Sequence, residues 1–280
     1  MCLCIWALNM VSFAADTPTT TTQDWNAVYA QAHSYRDISP TITATLFRQV
    51  VNNGDAELGT RALLQLGNLY KTSMMEPRMA LAIYEEFVKR PDAKKHPTYE
   101  DAERTRQTLK TTLDKVDALE TKLSSGTLTA DDKGTTGVLF AIADLYRGPL
   151  DTPKYAFTAY KRAFESTGGT YDMAYYLMGH MKMDEGELAE AVAIFEDFMK
   201  RFPQSPWFES AFELYYRCQY YQVFYNTNPL AQATQARELT AKIDKALLDY
   251  PKIDPEIRQR VINLQNLMKK MIPQTPTKTP

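Results

Sequence analysis

Three stretches of this chain repeat one spacing of apolar residues, and that repetition restricts the fold more than any other feature. Leu63, Leu66, Gly67 and Tyr70 share their spacing with Leu139, Ile142, Ala143 and Tyr146. Tyr175, Met178 and Gly179 follow it too, with Lys182 in place of the last aromatic. Residues so spaced lie on one face of an α-helix. A second set follows each at i, i+4 and i+7: Ala80, Tyr84 and Phe87; Ala156, Tyr160 and Ala163; Ala191, Phe195 and Phe198. Each unit therefore reads as two amphipathic helices joined by a turn, with a small residue where they approach closely. One such hairpin cannot bury its own apolar face, so neighbours must stack on it.

The rest of the chain supplies those neighbours. Trp25, Val28, Ala32 and Tyr35 mark a helix over Asp24 to Asp37, and Ser39-Pro40 starts another through Ile42, Leu46 and Val50, which Asn53-Gly54 stops. Leu109, Leu113, Val116, Leu119 and Leu123 form one narrow seam on a long helix near 98–124, with Thr98-x-x-Asp101 as a capping box and Gly126 as terminator. A single seam suits a helix that lies across a stack or spaces two halves of it. After Pro206, aromatic residues from Trp207 to Tyr225 crowd nearly every face of one helix, which predicts burial between neighbours. Ala236, Leu239, Ile243, Ala246 and Leu247 carry the next helix, although Thr240 stands where the repeat wants an aromatic. Asp254-Pro255 opens a capping helix near 254–272, and 273–280 reads as a disordered tail.

The order of aromatic, apolar-Gly pair, A-x3-F and closing proline in Tyr171 to Ser205 resembles the tetratricopeptide repeat, a hairpin of about 34 residues. The phrase from Phe195 to Pro206, FEDFMKRFPQSP, is similar to the outer-membrane assembly lipoproteins of the BamD type and to the Tol-Pal associated periplasmic repeat proteins. This resemblance implies an all-α fold, a right-handed superhelix of antiparallel hairpins over 24–272. It also implies a non-catalytic adaptor in the bacterial cell envelope.

The N-terminus is consistent with export. Residues 1–15 are uncharged and apolar, and Ser12-Phe13-Ala14 offers a small-x-small site, so a signal peptide ending near Ala14 or Ala15 is expected, followed by a Thr-rich linker at 16–23. Neither Cys2 nor Cys4 follows the segment that precedes a lipid-modified cysteine, so no lipid anchor is expected. Cys218 then stands alone in the mature chain and has no internal disulfide partner.

Chemistry is hard to find in this sequence. Net charge is -2, too balanced to point to nucleic acid or an anionic membrane. His33, His96 and His180 lie in different units, and no metal-ligand spacing, phosphate loop or nucleophile motif is present. The expectation is that the chain is not an enzyme, needs no cofactor and meets the membrane only through a partner.

Recognition then falls to the stripe beside the packing face. It comprises Leu64, Asn68 and Lys71, then Phe140, Asp144 and Arg147, then Tyr176, His180 and Met183. Phe140 and Tyr176 are the expected anchors for a protein or peptide partner. The alternative is an envelope glycan-binding protein or a glycan-active enzyme on a helical superhelix, which converging carboxylates would favour. A groove lined by aromatic and amide side chains would favour the scaffold.

Overall fold

The computed structural model describes residues 23–128 and 133–273. The expected signal peptide, residues 16–22 of the linker and residues 274–280 of the tail lie outside the described residues. Among those described, the chain is all-α, with twelve helices and one short 3-10 turn at Ala93–Lys95. The first four helices are α1 (Trp25–Ser34), α2 (Pro40–Asn53), α3 (Ala56–Thr72) and α4 (Pro77–Val88). The long α5 (Tyr99–Ser125) precedes α6 (Gly134–Arg147), α7 (Pro153–Ser166), α8 (Asp172–Asp184) and α9 (Leu188–Arg201). Then come α10 (Phe208–Phe224), α11 (Pro229–Asp249) and α12 (Pro255–Lys269).

Helix starts follow local chemistry. Asp24, Asp55, Asn228 and Asp254 accept hydrogen bonds from first-turn backbone N–H groups. Pro40, Pro77, Pro153, Pro229 and Pro255 occupy opening positions where no N–H is needed. The expected capping box at Thr98 does not form; its hydroxyl lies 3.0 Å from His96 Nδ1 instead. At the other end of α5, Gly126 takes the left-handed conformation (φ 67°) that ends the helix.

Each helix packs chiefly on its neighbours along the chain, and α10 also packs on α12. Two apolar clusters result. One runs from Val28 on α1 to Cys218 on α10, and the other joins α10, α11 and α12 through Phe212, Tyr216, Ile243 and Val261. The aromatic helix α10 is thus the wall between two cores, as its all-round apolar pattern requires. Cys218 is free and buried, and burial pushes its thiol up to about 11.

The long helix spaces two groups of hairpins, with α4 on one side and α6 on the other. Arg78 of α4 forks onto Asp117, and Arg162 of α7 forks onto Glu120 at 2.5 and 3.0 Å. The Tyr155 hydroxyl on α7 reaches Glu76, just before α4, at 2.5 Å. These partly exposed pairs add little stability, but they fix the register of α5 between α4 and α7.

Within the hairpins, Gly67 and Gly179 lie against rings of the second helix. A Cβ at Gly67 would sit 3.2 Å from the Tyr84 ring, while one at Gly179 would sit 2.6 Å from Phe195. Phe195 is fully buried and cannot retreat. Gly179→Ala is therefore expected to cost about 2 kcal/mol through overpacking. Gly67→Ala offsets its milder contact with about 1 kcal/mol of helix propensity, so it should stay near neutral, as Ala143 at the matching position suggests. Urea unfolding midpoints of the two variants check the contrast.

Candidate partner-binding surface

The stripe beside the packing face divides in the structure. On α3, Leu64 is buried at 6% exposure, part of the core rather than a contact surface. Asn68 is half-buried, and its Oδ1 accepts the Tyr84 hydroxyl at 2.6 Å. Lys71 stays half-exposed near the end of α3. No main contact joins α3 to α6, so these residues do not extend the surface formed by the later helices.

On α6, Phe140 lies between Tyr160 (5.1 Å) and Tyr171 (5.0 Å), packed rather than free. Asp144 accepts the Tyr160 hydroxyl at 2.8 Å, repeating the Asn68–Tyr84 bond at the same separation in sequence. Asp144 also pairs with Arg147 at 3.4 Å, and both remain exposed. Sequence spacing assigned these polar residues to recognition, yet Asn68 and Asp144 each satisfy a second-helix tyrosine whose ring is buried.

The anchor expected at Tyr176 is corrected on α8. Tyr176 is only 8% exposed, because the Trp207 indole stacks on it at 5.3 Å with planes 17° apart. Its hydroxyl lies 3.1 Å from His180 Nε2. In this hairpin Phe195 replaces the tyrosine of the others, so there is no second-helix hydroxyl to hold His180.

Three helices nevertheless converge at His180. Burial lowers its pKa; Asp184 works against that shift, and Arg147 of α6 and Arg217 of α10 reinforce it. Asp184 is itself raised by burial, with His180 and Arg147 opposing. Arg147 of α6 and Arg217 of α10 thus act electrostatically on His180, and Arg147 also on Asp184, a mixed-charge band across α6, α8 and α10.

That band continues into a surface the sequence reading did not assign. Met183, Gly186, Leu188, Arg217, Tyr221 and Tyr225 line a recess of about 400 Å³. Above it, Tyr221 stacks on Tyr225 (6.1 Å, 23°) and Tyr220 on Phe224 (5.8 Å, 29°). Phe224 and Tyr225 are 49% and 67% exposed, so the end of α10 offers a hydrophobic shelf, and Leu230 at the start of α11 is 78% exposed. Its signal was the i, i+4 pairing of these rings at the end of α10.

Two measurements separate structural from recognition roles. Asn68→Ala should lower stability by about 1 kcal/mol, since the buried Tyr84 hydroxyl loses its acceptor, and urea denaturation reads that loss. For His180, the depressed folded pKa means that the unfolded chain binds the proton more readily. Its contribution is complete above the ordinary value of 6.5 and is lost as pH falls through the folded value. The urea midpoint should therefore fall from about pH 7.5 to about pH 5.5. His180→Gln should flatten part of that fall, leaving the share of His33, which burial also lowers.

No protein-family model matches the chain, and no curated protein matches it.

Proposed function

We propose that the chain is a non-catalytic interaction scaffold of the bacterial cell envelope. It is read as a tetratricopeptide-like, right-handed superhelix of antiparallel hairpins that holds peptide segments or envelope proteins, in outer-membrane assembly or envelope maintenance. The observation that carries the reading is the shelf at the end of α10. Three aromatic side chains, Tyr221, Phe224 and Tyr225, stand exposed together beside a recess lined by Met183 and Leu188, and Leu230 is exposed at the start of α11. Exposed aromatic groups gathered at one place beside an arginine match what protein interfaces use as energetic centres. The mixed-charge band of Arg147, His180 and Asp184 supplies a polar rim. Neighbour-to-neighbour helix packing supports the solenoid reading, since hairpins that contact only the next in line build extended binding surfaces. Export rests on residues 1–15 and on the resemblance at Phe195 to Pro206. No described helix is long and apolar enough to cross a membrane.

A photo-cross-linking residue at Tyr225 tests the proposal in a bacterial envelope extract, with the same residue at exposed Thr158 on α7 as control. A discrete protein adduct at Tyr225, missing at Thr158 and weakened by Leu230→Ser, is the expected outcome. Adducts of equal yield at both positions, or glycan turnover with no protein adduct, would overturn it.

A further inference from the structure

The shelf is continuous with a second feature, an open groove between α10 and α11. Two clefts of about 320 and 490 Å³ form it, and Lys242 of α11 lines both. Ala236, Thr240 and Ile243 keep the second-helix spacing, so Thr240 stands where Tyr84, Tyr160 and Phe195 stand in the other hairpins. Thr240 lines neither cleft, and its hydroxyl is buried without a partner among the described residues.

The groove has two kinds of lining. Toward α9 its floor is aromatic, made by Phe212, Tyr215, Tyr216 and Tyr250. Toward the shelf it is lined by amides, Gln219, Gln222, Asn226 and Gln235, and ends at Tyr225. The Gln219 amide nitrogen is buried, and no acceptor among the described residues meets it in hydrogen-bond geometry. It pulls back the burial-raised pKa of Tyr215 but does not reach hydrogen-bond geometry with it.

Charge is ordered along the α11 rim as Glu238, Lys242, Lys245 and Asp249. Neither lysine enters an ion pair among the described residues, whereas Lys200 on the opposite rim is already paired with Glu196 at 2.7 Å. The rim therefore has a cationic centre between two anionic ends. From Glu238 to Asp249 a helix rises about 16 Å, the length of about five residues of extended chain.

We infer that this groove binds an extended peptide segment with a bulky apolar residue and an adjacent carboxylate at its centre. The apolar side chain covers the tyrosine floor, the carboxylate meets Lys242 and Lys245, and a backbone carbonyl of the peptide accepts the Gln219 amide. The inference rests on the scaffold reading and names the chemistry of one partner segment.

The test uses fluorescence anisotropy on the full chain with two labelled peptides. One has phenylalanine followed by aspartate at the centre of a glycine-serine sequence; the other has lysine in place of the aspartate. The first should bind about tenfold more tightly. Lys242→Glu combined with Lys245→Glu should reverse that order, and because both side chains are exposed, unchanged helicity and urea midpoint will show that the fold is intact. On adding the first peptide, the Gln219 side-chain amide resonances should shift downfield. Equal binding of the two peptides, or an order unchanged in the double variant, overturns the inference. So does an oligosaccharide that binds the groove without regard to the lysines. If Tyr225 still gives its protein adduct while neither peptide binds, this inference fails and the scaffold reading stands. Loss of that adduct sinks the scaffold reading itself.

Discussion

The stack depends on one kind of contact, a small residue on a first helix meeting a ring on the second. Gly67 faces Tyr84, and Gly179 faces Phe195 so closely that one added carbon would overlap the ring. Backbone and ring at this distance bring the two helices near enough to leave no gap between them, and interiors tolerate little departure from such packing. Each hairpin then presents its remaining apolar face to the next. The same contact is missing in the last hairpin. At Thr240 there is no ring, and the buried hydroxyl in its place has no partner among the described residues.

Two polar devices set how the parts are arranged without contributing much stability. The arginine forks at Asp117 and Glu120 hold α5 from both sides, and their partial exposure keeps their energetic share small. Glu213 differs, being 5% exposed and held by Arg217 of α10 and Arg260 of α12. A buried carboxylate needs both partners, since removing either leaves charge poorly compensated. That pairing fastens α12 to α10 while α11 stands further off, which keeps the second core closed although the groove is open.

The helices themselves were legible in the sequence because their signals are local. Apolar spacing, prolines at first positions and Asp or Asn caps each act within one turn, and they located α2 and α12 to within a few residues. The recognition stripe was less legible, because a residue's neighbours across the stack leave no trace in its own helix. Asn68 and Asp144 look like free polar groups until Tyr84 and Tyr160 arrive from the next helix. Tyr176 looks like an exposed anchor until Trp207 covers it. The shelf had the opposite problem: the aromatic run that predicted burial for α10 holds through Tyr216, while Tyr221, Phe224 and Tyr225 at its end stand exposed.

Divergence from the repeat and exposure of chemistry coincide along the chain. In the hairpins with a second-helix tyrosine, its hydroxyl occupies the polar residue beside the small one. Phe195 has no hydroxyl, so His180 is left to Tyr176 and comes under the influence of Arg147, Asp184 and Arg217. Thr240 has no ring at all, and on another face of α11 the groove exposes amides and two lysines that enter no ion pair among the described residues. Each step away from the pattern removes a contact that packing would otherwise consume. From α8 to α11, polar and aromatic groups are therefore progressively released from structural duty, and this end of the stack has the groups available for binding something else.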